Sequence, residues 1–289
     1  MRKILVTGAS GYIGRHVVEQ LVKDNVEVIA VDINLGNLPE NVEKREISVF
    51  SGEKDIYKKM GSPDVCIHLA WQDGFRHNSH EHLGNLSKHY EFIKNMLQGG
   101  LKHIAVMGTM HEIGYWEGVV NEDTPTNPMS YYGIAKNCLR QATECLSKEF
   151  GAVYQWIRAF YITGDDMQNH SIFTKLIEME KAGEKEFPFT TGKNKYDFLD
   201  IHELAFQIAS VIEQEEITGI INCCSGVPIS LGERVERFIT ENKMSIKLKY
   251  GAFQERKYDS PAIWGDDNKI REIITRKKYG EDDENCKKN

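Results

Sequence analysis

Two kinds of apolar pattern alternate along the first half of the chain. Continuous apolar runs predict buried strands at residues 4–6, 26–31, 64–70, 103–107 and 153–159, with a shorter strand at 47–50. The segments between them predict helices directly after the first strand and at residues 55–60, 81–98 and 130–149. Strands that alternate with helices form parallel sheets covered on both faces. The predicted fold class is therefore α/β, with a doubly wound parallel sheet.

The alternation of strands and helices loosens beyond Gly164. The pattern there predicts a helix, two short strands and a second helix, at residues 171–182, 187–190, 197–200 and 201–213. We predict a first domain over residues 1–164, to which residues 195–224 partly return, and a smaller lobe mainly over residues 165–275. The mixed charges of residues 276–289 predict a frayed tail.

A glycine-rich turn follows the first strand. Gly8 permits a sharp turn, Gly11 lets backbone N–H groups approach a pyrophosphate, and Gly14 lets the next helix pack closely on the sheet. The positive end of that helix would face the phosphates. Strand, turn and helix together favour a dinucleotide site over a tight turn with incidental glycines. The predicted contacts of this turn are Gly8, Ser10, Gly11, Tyr12, Ile13 and Gly14.

Asp32 ends the second predicted strand, where a carboxylate can accept hydrogen bonds from the adenosine ribose hydroxyls. The same charge repels a 2′-phosphate, so NAD(H) is favoured, although Arg15 and Arg45 leave NADP(H) possible. The alternative is a solvated acid at a strand end. We predict further cofactor contacts at or just after the ends of the second and fourth strands, at Ile33, Leu69, Ala70 and Trp71.

Composition narrows the class of protein. The 289 residues are 40% hydrophobic and 27% charged, which is typical of a water-soluble globular protein. A net charge of −7 argues against a nucleic-acid partner. The six cysteines show no disulfide or zinc spacing, and no signal peptide or membrane-spanning run is present. These features predict a cytoplasmic protein with free thiols.

Three side chains form a candidate proton-transfer unit. Tyr132 and Lys136 are four residues apart on a predicted helix and so share one face. A lysine ammonium there would lower the pKa of the phenol towards neutrality, and the lysine could also reach the nicotinamide ribose. Thr109, just beyond the fifth strand, could hydrogen-bond the same substrate oxygen. A surface pair on a helix is the alternative for this tyrosine and lysine.

These motifs together resemble the extended short-chain dehydrogenase/reductase family, whose first domain is of the Rossmann type, and especially its nucleotide-sugar branch. The resemblance spans nearly the whole chain, at residues 7–14, Asp32, residues 68–70, Thr109 with Gly114, and residues 130–136, 157–164, 196–205 and 266–269. It implies that Tyr132 is the acid/base, Lys136 its partner and Thr109 the hydroxyl that holds the reacting oxygen. It also implies that the second lobe binds a sugar nucleotide.

The chain departs from two family patterns. Sugar-nucleotide dehydratases have Asp and Glu directly after the threonine, whereas Met110 and His111 stand here, which argues against dehydration. Many epimerases have Asn-Pro after the sixth strand, whereas this chain has Tyr161 and Ile162. Residues 108–115 look most like those of reductases that act on dTDP-4-keto-6-deoxyhexoses.

Several residues are candidates for substrate binding. The loop after the fourth strand offers Trp71 or Phe75 for stacking and Arg76 for a phosphate, and the predicted substrate contacts are Phe75, Arg76, His111 and Tyr161. Glu112 could grip a hydroxyl, and phosphate contacts are also possible at Arg158 and Lys193. We predict no metal site, because the spacing of the four neighbouring histidines crosses a loop and a helix, at His77, His80, His82 and His89.

Three functions remain open at this point. The first is hydride transfer to the C4 carbonyl of a nucleotide-linked deoxysugar. The second is 4-epimerisation with tightly held NAD, and the third is a dinucleotide sensor without catalysis. The catalytic trio argues against a sensor. The resemblance also implies a homodimer formed through the helices at residues 81–98 and 130–149.

Overall fold

The computed structural model describes residues 2–36, 38–164, 167, 171–254 and 259–286. In chain order its strands are β1 (Lys3–Thr7), β2 (Glu27–Asp32), β3 (Glu43–Glu46), β4 (Val65–His68), β5 (His103–Thr109), β6 (Gly118–Val120), β7 (Val153–Ala159), β8 (Tyr161–Thr163), β9 (Glu186–Pro188), β10 (Lys195–Asp200), β11 (Gly219–Cys223), β12 (Pro228–Ser230), β13 (Lys247–Lys249) and β14 (Ala262–Gly265). Its helices are α1 (Tyr12–Lys23), α2 (Ile56–Lys59), α3 (Glu81–Gly84), α4 (Leu86–Gly99), α5 (Tyr131–Phe150), α6 (Ile172–Lys181), α7 (Ile201–Ile212), α8 (Leu231–Glu241) and α9 (Asn268–Cys286), with a 3₁₀ turn at Met110–Glu112. None of these helices combines the length and apolarity needed to cross a bilayer.

The large sheet has parallel strands in the order β3, β2, β1, β4, β5, β7, β11. Helices α1, α7 and α9 pack on one face through residues such as Leu21, Leu204 and Ile273. Helices α2, α4 and α5 cover the other face. Strands β4 and β5 are buried along their whole length, because a sheet covered on both faces leaves no polar side. The predicted doubly wound parallel sheet is confirmed.

The second half of the chain adds two smaller sheets. One has the order β12, β10, β14, β6, and β8 also pairs with β10. The other joins β9 to β13, and helices α6 and α8 pack beside it around Phe173, Phe187, Val235 and Phe238. Strand β11 returns to the edge of the large sheet beside β7. The domain boundaries derived from the sequence stay predictions.

Three predicted elements differ from the structure. The third strand is Glu43–Glu46 and not residues 47–50, because this edge strand is charged and shows no apolar run. The helix at residues 81–98 is two helices that meet at Asn85, whose side-chain amide bonds Gln72 and Glu81. The fifth strand runs on to Thr109 itself.

The prediction of a frayed tail is wrong for residues 276–286. Helix α9 continues to Cys286, and the Nζ of Lys277 lies 2.8 Å from Asp24 and 2.9 Å from Glu213. Asp24 follows α1 and Glu213 follows α7. One half-buried cation therefore joins three helices on the same face of the sheet. Residues 287–289 lie outside the described residues.

Substitution Lys277→Met should lower the free energy of unfolding by about 1–2 kcal/mol, because it leaves two neighbouring carboxylates without their cation. Urea unfolding followed by circular dichroism measures this change. The matched control is Lys278→Met, since Lys278 is exposed on the same helix. Equal stability of the two variants would contradict the docking of this helix.

Candidate active site

The glycine turn is built as a cradle. Gly8 has φ +68°, and the N–H of Gly11 donates to the carbonyl of Gly8 over 3.0 Å. A Cβ at Gly14 would lie 2.0 Å from that carbonyl oxygen, and one at Gly8 would lie 2.7 Å from the backbone of Ala70. The turn thus lies against the chain leaving β4 and opens at the N-terminus of the twelve-residue helix α1.

The cradle fits a dinucleotide. The hydroxyl of Ser10 is buried in it and has no hydrogen-bond partner among the described residues. A pyrophosphate oxygen held at the end of α1 would supply the missing partner. Tyr12 and Ile13, the remaining predicted contacts of the turn, form the first turn of that helix.

The acid at the end of β2 is tied to the same turn. The carboxylate of Asp32 accepts hydrogen bonds from the N–H groups of Ser10 at 3.1 Å and Ile33 at 2.8 Å. The Ile33 side chain is 69% exposed, which leaves an apolar surface beside the carboxylate. Arg45 bonds Glu43 and the carbonyl of Lys59. This arginine is therefore engaged elsewhere, which favours NAD(H) over NADP(H).

The proposed catalytic trio comes together at the carboxyl end of the sheet. Thr109 ends β5, and Tyr132 stands in the first turn of α5, whose N-cap Ser130 accepts from the N–H of Gly133. The side chain of Thr109 lies close enough to Tyr132 to lower the pKa of its phenol. The ammonium of Lys136 lies 5.9 Å from the centre of the tyrosine ring and donates to the carbonyl of Met107 over 2.7 Å. The geometry thus lets one substrate oxygen meet both hydroxyls.

Burial controls the charges of this trio. It raises the pKa of Tyr132 far above its usual value, although the neighbouring Thr109 side chain acts in the opposite direction. Burial also lowers the pKa of Lys136 to about 7. The expected lowering of the phenol pKa is therefore wrong, because burial raises this pKa and dominates the other contributions. The site holds a neutral phenol, which is a proton donor.

Glu112 and Arg158 have structural contacts. The Glu112 carboxylate is fully buried and accepts from the N–H of Thr109 at 2.7 Å and the indole N–H of Trp156 at 2.9 Å. Arg158, equally buried, donates to it over 3.4 Å. The expected phosphate contact at Arg158 and hydroxyl contact at Glu112 are wrong, because neither side chain reaches the surface.

The predicted substrate contacts lie in different places. The Phe75 side chain is 56% exposed, and its ring lies 6.3 Å from the ring of Tyr12. Arg76 pairs with Asp73. His111 packs 4.3 Å from His77, and burial lowers its pKa to about 3. Tyr161 packs 4.3 Å from Tyr196 in the second sheet.

The residues that follow β4 lie beside Thr7 and Tyr132. The N–H of Leu69 donates to the carbonyl of Thr7, and the N–H of Ala70 donates to its hydroxyl. The indole of Trp71 lies 6.1 Å from the ring of Tyr132. Lys193 is exposed before β10. Its role, and those of the predicted cofactor and substrate residues, stay predictions.

His77 is a site residue that sequence reasoning missed. Its imidazole stacks on Tyr132 with ring centres 5.2 Å apart and an angle of 12°, and its carbonyl accepts from the N–H of Tyr132 over 2.9 Å. The sequence feature that could have identified His77 is its position in the loop after a central parallel strand. Of the neighbouring histidines, His80 contacts Tyr131, whereas His82 and His89 both contact Trp71, and no metal-binding group of three or more ligands occurs within the described chain.

Comparisons with known proteins agree with this architecture. Residues 4–224 match the model of the NAD dependent epimerase/dehydratase family. The chain is 44% identical over 273 residues to a dTDP-6-deoxy-L-talose 4-dehydrogenase (NAD(+)) of Aggregatibacter actinomycetemcomitans, covering 91% of this chain and 98% of that protein.

Solved structures show the same fold at low identity. A UDP-glucose 4-epimerase of Thermotoga maritima with UDP-glucose superposes with a TM-score of 0.78 at 23% identity, covering 93% of this chain and 91% of that chain. A UDP-glucuronic acid 4-epimerase of Bacillus cereus with UDP-glucuronic acid and NAD gives 0.79 at 21% identity, covering 94% and 93%.

Substitution Gly14→Ala should weaken NADH binding about ten-fold or more, because the added Cβ would displace the backbone of Gly8. Fluorescence titration with NADH measures the dissociation constant. Gly74→Ala is the matched control, since a Cβ there meets nothing within 4 Å. Unchanged NADH affinity in a folded Gly14→Ala protein would refute the cradle.

Proposed function

The chain belongs to the NAD dependent epimerase/dehydratase family, and from that premise we propose that it reduces the C4 keto group of a dTDP-linked 4-keto-6-deoxyhexose. The nucleotide and sugar are proposed from the relative with 44% identity, a dTDP-6-deoxy-L-talose 4-dehydrogenase. The observation that carries the proposal is the convergence of Thr109, at the end of β5, with Tyr132 and Lys136, in the first turns of α5. NADH, when bound, supplies the hydride.

The chain's own groups would provide the proton and the orientation. Tyr132 holds a proton on a phenol whose pKa is raised by burial, and it would donate that proton to the C4 oxygen. Thr109 would hold the same oxygen through its hydroxyl. Lys136, one turn further along α5, would meet the nicotinamide ribose and stabilise the phenolate that remains. Reduction therefore needs no acid other than Tyr132 to protonate the C4 oxygen.

The surroundings of Thr109 support reduction over dehydration. Met110 is only 6% exposed and packs into an apolar cluster with Ile113 and Phe160. His111 is held neutral, since burial and the neighbouring His77 lower its pKa to about 3. An acid and a base for eliminating water are thus missing at these two positions. A 4-epimerase would use the same trio, so that function is the second candidate.

The purified protein should oxidise NADH when given a dTDP-4-keto-6-deoxyhexose, and Tyr132→Phe should lower kcat at least about 100-fold, because the C4 oxygen loses its proton donor. Absorbance at the NADH band measures the rate, and NMR identifies the sugar product. NADH binding should survive in this variant, since the glycine cradle is untouched.

The control for the tyrosine is Tyr131→Phe, whose ring instead contacts His80. Full turnover by Tyr132→Phe would defeat the catalytic assignment. If instead the protein keeps NAD through desalting and interconverts C4 epimers without added NADH, the epimerase is the correct function.

We also propose that the chain forms a homodimer through α3, α4 and α5. These helices contact one another on one face of the sheet, and each exposes an apolar side chain, at Leu83, Tyr90 and Ile134. Their exposed fractions are 42%, 39% and 40%. Neighbouring apolar side chains on an outer surface are typical of protein interfaces.

The double substitution Tyr90→Asp with Ile134→Asp should convert the dimer to a monomer, because it places charges in the proposed interface. Size-exclusion chromatography with light scattering measures the mass. Val119→Asp is the control, since Val119 is 43% exposed on β6. A monomeric wild-type protein would rule the interface out.

A further inference from the structure

The indole of Trp71 lies directly against the lysine of the proposed catalytic trio. The ammonium of Lys136 is over the indole ring, 3.8 Å from its centre. The same ammonium is 5.9 Å from the centre of the Tyr132 ring, so the indole is its closer aromatic contact. Such a distance is within the range of a cation–π interaction.

We propose that Trp71 is a positioning residue that holds Lys136 in its charged form and at its place beside Tyr132. The inference rests on the proposed function, in which Lys136 takes part, and it adds a residue whose own ring does no chemistry.

Lys136 needs such support because it is withdrawn from water. The residue is 2% exposed, and its ammonium donates one hydrogen bond, to the carbonyl of Met107. In the described part of the chain no carboxylate lies within ion-pair distance of it. Burial accordingly lowers the pKa of Lys136 to about 7. The electron-rich face of the indole stabilises the ammonium and not the neutral amine, so it opposes this loss of charge.

The indole is itself fixed at its edge. Its N–H donates to the Nδ1 of His82 over 3.0 Å. The Nε2 of His82 lies 3.0 Å from the carbonyl of Arg76 and must therefore be the protonated nitrogen. His82 is thus neutral in this arrangement. It anchors the ring without placing a second positive charge beside the lysine.

The indole also stacks on a buried histidine. The ring of His89 lies 4.3 Å from the indole at an angle of 11°. His89 bonds His68 through ring nitrogens 2.9 Å apart, and His68 bonds the hydroxyl of Thr7 over 2.8 Å. This chain of contacts connects the indole to strands β4 and β1. The position of the lysine is thereby linked to the centre of the large sheet.

The titratable groups that face Lys136 come from four elements. They are Glu112 from the 3₁₀ turn, His68 from β4, His89 from α4 and Tyr132 from α5. Burial, followed by the charge of Lys136, lowers the pKa of His68 to about 3, and burial also lowers the pKa of His89. Both imidazoles and the phenol are neutral at pH 7. Glu112 favours the ammonium from a distance, and the indole does so in contact.

The test is the pKa of Lys136, read by NMR from the ¹³Cε signal of labelled lysine and assigned with Lys136→Arg. Trp71→Leu removes the π face and should lower this pKa by about one pH unit. Trp71→Phe keeps a π face and should lower it by less than about half a unit. If Trp71→Leu does not fold, Trp71→Met replaces it. An unchanged pKa in the leucine or methionine variant would overturn the inference.

A second readout excludes a merely structural effect. Turnover should fall as the pH rises through the pKa of Lys136, and Trp71→Leu should move this alkaline limb down by about one pH unit. Loss of packing alone would scale the rate equally at every pH, and that result would also overturn the inference. Trp116→Leu is the control, since the Trp116 indole bonds Val119 away from the lysine.

The two proposals fail separately, because the NMR titration needs no turnover. A lowered lysine pKa in a protein without reductase or epimerase activity would support the role of Trp71 and refute the proposed function. Turnover by the wild-type protein, together with an unchanged lysine pKa in Trp71→Leu, would support the proposed function and refute the role of Trp71.

Discussion

One buried carboxylate joins the elements that carry the proposed catalytic side chains. Glu112 accepts from the backbone N–H of Thr109 at the end of β5 and from Trp156 and Arg158 on β7, and Arg140 of α5 approaches it to 4.0 Å. Removing one partner of such a buried pair generally costs about 3–5 kcal/mol, because the other charge is left unpaired. The orientation of Thr109 towards α5 is therefore held by charge, in addition to the apolar packing around it.

Burial strengthens the interactions of the Glu112 carboxylate, and it also sets the protonation states of the other groups in the site. Away from water, Tyr132 stays a phenol, the nearby imidazoles of His68, His89 and His111 stay neutral, and Lys136 sits close to its point of half-charge at pH 7. A small change near the lysine then has a large effect on its charge. The contact with the Trp71 indole matters for this reason, since it acts on a lysine whose charged and neutral forms are nearly equal in free energy at pH 7.

Local patterns predicted the centre of the fold, and they place the proposed site residues at the ends of its strands. Gly8 and Gly14 follow β1, whereas Asp32 and Thr109 end β2 and β5, and the apolar runs of these strands are visible in the sequence. Parallel topology then brings those strand ends to one edge. The edge strand Glu43–Glu46 could not be found this way, because its charged side chains carry no apolar signal. Long-range packing decides such elements, and the docking of α9 through Lys277 is another example.

The protonation states of the site residues could not be predicted from local sequence patterns either, because they also depend on long-range packing. Spacing placed Lys136 one turn from Tyr132, which suggests a lowered phenol pKa, but the sign depends on how much water the fold removes. The sequence suggests that Arg158 could bind a phosphate, but in the fold Arg158 is buried and pairs with Glu112. A charged residue can be assigned to substrate or to structure only when its burial is known.

The protonation of the site also bears on which reaction follows hydride transfer. Eliminating water from a 4-keto sugar needs one group that removes a proton beside the carbonyl and another that protonates the leaving hydroxyl. His111 has a pKa of about 3, so its neutral imidazole is too weak a base to take up a proton at pH 7 and carries no ionised proton to give, and Met110 beside it can do neither. In the proposed reaction a hydride therefore adds to C4 of the keto sugar and a proton to its C4 oxygen, and these two positions supply no acid–base pair for dehydration.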